Sequence, residues 1–245
     1  MRAILAVMSI ALACFASAAA STDARSAYSV ARLELGGQGF CTAALIAPSL
    51  AITAAHCLFD PKSGVLLPSG DLKLVFQGKA GNAQTHRRVR RVIVHPDYAV
   101  EDRIANRARY DIALLEMLDP FAPRHIAPFG LAKNPESGAV VRIISHRPQS
   151  DSPLPTISTC PILVSHQGVL VTACPVAFGA SGAPVLADIA GRPHVISIIS
   201  VKADMQSAPV SLGPILQNTL PQLLSTLEVE HSSSSPAVHV TCSSC

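Results

Sequence analysis

The sequence predicts an all-β protein, a sandwich or barrel, and three observations predict it. Short apolar runs recur along most of the chain. Gly, Pro, Asn and Asp separate most of them, and the chain carries 19 prolines and 14 glycines. A single stretch, 212–227, has helical spacing, with leucine or isoleucine at 212, 215, 216, 220, 223, 224 and 227, interrupted by Pro221. That stretch predicts one C-terminal helix, packed on the second half of the fold.

The strands follow in order. Residues 29–35 alternate around Val30, Leu33 and Leu35. Residues 40–46 and 49–53 are apolar runs parted by Pro48, and 72–76, 89–94 and 112–118 complete the first half. Residues 119–135 hold prolines at 120, 123, 128 and 135 and read as a connector. The second half repeats the style at 140–144, 161–165, 169–172, 184–186 and 195–201. Apolar residues make up 49% of the chain and charged residues 14%, a composition that builds a core and excludes a disordered chain. A net charge of +3 is too small for the electrostatic footprint of a nucleic-acid binder.

Both ends read differently from the body. Met1-Arg2, an apolar run over 3–15 and Ser17-Ala18-Ala19-Ala20 form a signal peptide over 1–20, with cleavage after Ala20, or after Ala18 as the second choice. Cys14 loosely resembles a lipoprotein acylation site. No other segment is long and apolar enough to span a bilayer. The mature protein is therefore expected to be secreted or periplasmic, with no stable membrane insertion. Residues 228–245 form a tail with a Ser-rich linker, Ser232 to Pro236, and a terminal pair, Cys242 and Cys245. A local disulfide suits that pair. His231 and His239 would complete a metal set only without a packed shell around it, so no metal is expected. Six cysteines follow the leader, an even number that favours disulfides in an oxidising compartment. Connectivity is open at this level, and the short separations favour 41–57, 160–174 and 242–245.

Three compact motifs carry chemistry. Thr53-Ala54-Ala55-His56-Cys57 places a histidine after an apolar run, Tyr110-Asp111-Ile112-Ala113-Leu114-Leu115 an aspartate before one, and Gly179-Ala180-Ser181-Gly182-Ala183-Pro184 a serine between glycines. A serine hydroxyl is a weak nucleophile until a base stands within reach and a third group fixes that base. His56 is the candidate base, Asp111 the orienting acid and Ser181 the nucleophile. Gly179 permits a turn that aims the N–H groups of residues 179 and 181 at one point, where they would stabilise an oxyanion. Singly, each motif is an ordinary structural residue in an ordinary context; the order and contexts together are specific. The basic run 86–91 reads as a solvated strand, with an anionic surface as the alternative.

With these residues the chain resembles the chymotrypsin (trypsin-like) family of secreted serine proteases, over about residues 28–227. Residues 41–46, 50–57, 111–115 and 179–184 carry the match. The resemblance implies two perpendicular six-stranded antiparallel β-barrels, about 28–120 and 130–211, with a helix over 212–227. It implies a 41–57 disulfide behind His56, and a catalytic set of His56, Asp111 and Ser181 with Gly179 and Ser181 as oxyanion donors. Ser200, within 198–202, matches the strand that lines the substrate cleft, where it would hold Asp111 and pair with substrate backbone. The implied activity is that of an endopeptidase on protein or peptide substrates, a monomer needing no cofactor; a non-catalytic binding protein on the same scaffold is the alternative. A dedicated partner or self-cleavage is a third reading.

Departures from the family pattern refine this. Digestive members carry an aspartate just before the nucleophile, and a new N-terminus created by cleavage pairs with it. Here that position is Ala180, and no Arg/Lys-Ile-Val-Gly-Gly sequence precedes the first strand. The expectation is a turn ordered without an inserted N-terminus, as in simpler bacterial secreted members, with the 160–174 disulfide helping to hold it. Cys174-Pro175-Val176-Ala177-Phe178 offers no carboxylate for a basic substrate side chain, so Val176 is expected to line a pocket for small or apolar groups. Lys202 would instead favour an acidic one.

Overall fold

A computed structural model of the chain describes residues 25–78, 84–100, 104–122, 126–133, 135–148 and 154–233. The expected signal peptide, Cys14, His239, Cys242 and Cys245 lie outside them.

Six strands build the first unit: β1 (Val30–Leu35), β2 (Phe40–Ala47), β3 (Leu50–Thr53), β4 (Leu72–Gln77), β5 (Gln84–Val94) and, after a short helix α1 (Ile104–Tyr110), β6 (Ala113–Met117). They close a barrel in the order β1-β2-β3-β6-β5-β4. Closure buries one face of each strand, and β3 and β6 are buried along their whole length, so their outer faces are covered as well. Leu33, Leu45, Ile52, Leu74, Phe76 and Leu114 fill the interior with no exposed surface. The basic run lies on β5 with the alternation of a half-exposed strand: His86, Arg88 and Arg90 face solvent. Arg87 lies instead over the Phe121 ring, 4.1 Å from its centroid, and Arg91 donates to Glu116 at 3.0 Å.

The second unit comprises β7 (Gly130–Leu131), β8 (Val140–Ser145), β9 (Thr156–His166), β10 (Val169–Thr172), β11 (Pro184–Ile189), β12 (Arg192–Ile198), β13 (Val201–Met205) and β14 (Ala208–Pro214). Its order is β13-β14-β10-β9-β8-β11-β12-β7. The sheet curls until β12 meets the residue following β14 through one antiparallel bridge, Ser197 to Ile215. This ring of six thus closes through a single bridge, where the first barrel has continuous ladders. The join is tight: a side chain at Gly213 would strike the Ile198 carbonyl. The expected all-β architecture of two packed units is present.

The C-terminal helix α2 spans Leu216–Ser233, which corrects the expected 212–227 in both directions. Leu212 pairs with Val171 and Val201 in the sheet, so its spacing belongs to a strand. At the other end the helix runs past 227 into the expected tail. Leu216, Leu220 and Leu223 are buried in a cluster that also contains Val195, Ile198 and the first-barrel core. The helix therefore packs across β12 and β5, not on the second half alone.

Candidate active site

The strand β3 ends in an apolar, fully buried segment, and Ala54 is followed by a single 3-10 turn, Ala55–Leu58, that carries His56. Cys57 is bonded to Cys41 of β2, as expected. The neighbouring His56 side chain is left 34% exposed, enough to reach a substrate. Asp111 sits between α1 and β6 with no exposed surface. A carboxylate there must be paired, and three donors converge on it. The His56 backbone N–H donates to Oδ1 at 2.8 Å, the His56 ring meets Oδ2 through Nδ1 at 2.6 Å, and the Ser200 hydroxyl donates to Oδ2 at 2.5 Å. Burial on its own would raise the Asp111 pKa; the His56 charge and these hydrogen bonds outweigh it and hold the carboxyl below the usual carboxylate range. An ionised carboxylate only accepts, so Nδ1 carries a ring proton, and in the neutral imidazole Nε2 is the acceptor.

The Ser181 turn enters β11 with Gly179 at φ 87° and Gly182 at φ 78°. Both conformations favour glycine, and both sites are crowded: a side chain at Gly179 would meet the Phe40 ring, and one at Gly182 the Thr42 carbonyl and Thr53 hydroxyl. The amides of the turn divide into two sets. Ala180, Gly182 and Ala183 donate to the carbonyls of Ala177, Ile199 and Ala180. Those of Gly179 and Ser181 have no acceptor among the described residues, and they are the two expected as oxyanion donors.

His56, Asp111, Ser181, Val176, Ser200 and Lys202 all line one cleft of about 450 Å³, so the expected catalytic and substrate-binding residues fall in one place. The Ser181 hydroxyl and His56 Nε2 are not hydrogen-bonded to each other; such bonds often tighten only when substrate binds. Cys41, His56 and Cys57 cluster closely enough to suggest a metal set, but both sulfurs are spent in the disulfide. Arg107 of α1 also lines the cleft. Nothing in the sequence marked it, because α1 is short and polar.

Cys160 and Cys174 form the second expected disulfide, joining β9 to the segment after β10. It anchors the start of 174–178, the approach to the turn. That segment gives the turn one hydrogen bond, from the Ala180 N–H to the Ala177 carbonyl, and further bonds come from Thr42 of β2 and from Ile199. Ala180, in the position where an ion pair would stand, is buried.

His146, next to this turn, supplies a pH test. Burial pushes its pKa down from 6.5 to about 4, with Arg32 adding to the effect and the Val30 backbone opposing it. Between those values the unfolded chain binds a proton that the folded protein refuses. The His146 contribution to stability should therefore fall by about 3 kcal/mol as pH drops from 6.5 toward 4 and level off below. Denaturant unfolding of the wild type and His146→Gln between pH 7 and 4 checks this, with a shallower loss expected for the variant.

The trypsin-like peptidase domain matches residues 37–195, more than half of the chain, a range that includes His56, Asp111 and Ser181. A stretch of 126 residues is 30% identical to human (Homo sapiens) mannan-binding lectin serine protease 1, covering 46% of this chain and 17% of that protein. The chain therefore belongs to the trypsin-like peptidase family, the chymotrypsin-like serine proteases.

Proposed function

We propose that the protein is a secreted serine endopeptidase acting through Ser181, His56 and Asp111. The observation that carries this reading is the conjunction in one cleft of an oriented base and two unused amides at the serine. His56 Nε2 takes the Ser181 proton as Oγ attacks a peptide carbonyl carbon. The carbonyl oxygen gains charge in front of the Gly179 and Ser181 amides. The C–N bond then breaks, with His56 returning the proton to the leaving amine. Water, activated by the same base, hydrolyses the resulting ester and restores Ser181.

Two disulfides and the leader over 1–20 support export to an oxidising compartment. Ala180 supports activity without an inserted N-terminus. The lining of the cleft supports a small or apolar preference at Val176 and discrimination against basic side chains, since Arg107 and Lys202 both line it. Ser200 holds Asp111 and offers backbone pairing to an extended substrate; the chain acts as a monomer.

A fluorophosphonate probe tests the reading. The secreted protein should be labelled stoichiometrically, with the adduct mapped to Ser181 by peptide mass. Folded protein that takes no label would reduce it to a binding protein on a protease scaffold.

A further inference from the structure

We propose that Thr42 is a positioning residue for the oxyanion turn, doing through a buried hydroxyl what an ion pair at the position of Ala180 would do. The proposal rests on the protease reading and deepens it. Thr42 lies on β2 with no exposed surface. Its backbone N–H donates to the Ser181 carbonyl at 2.8 Å. Its hydroxyl donates to the Gly179 carbonyl at 2.7 Å and accepts from the His146 backbone N–H at 3.1 Å. The last two bonds fix the direction of the hydroxyl proton: an N–H can only donate, so the hydroxyl must accept from His146 and has its single proton for Gly179.

The consequence lies in the peptide planes. The two candidate oxyanion amides belong to the peptides 178–179 and 180–181. Between them stands the peptide 179–180, whose carbonyl is held by Thr42 and whose N–H is held by Ala177. With both ends tied, this plane cannot rotate, and its rotation is what would swing one amide away from the other. The peptide after Ser181 is tied as well, its carbonyl to the Thr42 N–H and its Gly182 N–H to Ile199. Thr42 therefore grips the turn on both sides of the nucleophile. Thr53 in turn donates to the Thr42 carbonyl at 2.8 Å, so the grip is anchored in the barrel. A valine would fill the same space but leave the Gly179 carbonyl and His146 N–H buried without partners.

The test compares Thr42→Val and Thr42→Ser with the wild type on a chromogenic peptide substrate, and on a peptidyl aldehyde whose adduct carries an oxyanion against the matching peptidyl alcohol, which carries none. Thr42→Val is expected to lower kcat about 10- to 100-fold with KM within about threefold, and to lose aldehyde affinity but not alcohol affinity. Thr42→Ser, which keeps the hydroxyl, should stay within about threefold of wild type in each measurement. Folded Thr42→Val with wild-type kcat overturns the proposal, as does Thr42→Ser losing aldehyde affinity more than tenfold. If Thr42→Val does not fold, Thr42→Ala, which also removes the hydroxyl, takes its place under the same limits. Fluorophosphonate labelling of the wild type separates the two levels. A labelled wild type with an indifferent Thr42→Val sinks the grip and leaves the protease reading, whereas an unlabelled wild type sinks the protease reading itself.

Discussion

Alanine in place of Ser181 is expected to lower kcat by about a millionfold on any peptide substrate and to abolish fluorophosphonate labelling. The loss is large because the hydroxyl is the atom that makes and breaks the bond. The Gly179 and Ser181 amides remain, so hydrolysis somewhat above the rate in water should persist. The members of the set act as a unit, and adding His56→Ala to Ser181→Ala should cost almost nothing more. Steady-state kinetics on the single and double variants check both statements. A Ser181→Ala protein within a hundredfold of wild type is incompatible with Ser181 as the nucleophile.

The second large effect is expected at Asp111. Asparagine there should lower kcat by about ten-thousandfold, with the fluorophosphonate rate falling in parallel and the protein still folded. Three donors meet the carboxylate: the His56 N–H at Oδ1, and the His56 ring and Ser200 hydroxyl at Oδ2. An amide has one oxygen. If that oxygen takes the place of Oδ1, the amide NH2 confronts the His56 ring. The imidazole must then accept at Nδ1 and carry its proton on Nε2, the wrong end to receive one from Ser181. A crystal structure or histidine 15N NMR of the variant would show the exchanged tautomer beside the kinetic loss.

Much of the site was legible because its chemistry sits in short contexts. His56 follows an apolar strand, Asp111 precedes one, and Ser181 stands between glycines that the turn requires at positive φ. The strands of the first barrel were legible for a similar reason, since β3 and β6, covered on both faces, read as apolar runs. The start of the helix was not, because Leu212 and Ile215 fit a helical period and a strand equally well, and the pairing of Leu212 with Val171 and Val201 decides between them. Thr42 was invisible as a functional residue. In sequence it is one polar residue in an apolar strand, and its partner Gly179 lies 137 positions away. Arg107 reaches the cleft only because α1 delivers it there. Short separation points to the 160–174 pairing, and the missing ion pair at Ala180 suggests its role at the turn; the hydrogen bonds that Thr42 adds from β2 have no such local sign.

Adjacent residues of one strand therefore serve both partners of the proposed proton transfer. Cys41 is covalently bonded to the neighbour of His56, and Thr42 is hydrogen-bonded on both sides of Ser181. In a mechanical assembly, two parts referenced to one datum do not accumulate each other's errors. The same holds here: one peptide unit of β2 is tied both to the neighbour of the base and to the turn of the nucleophile, beside the holds that Asp111 and Ile199 supply. Tolerance at the reacting atoms is thereby decoupled from tolerance in the packing around them.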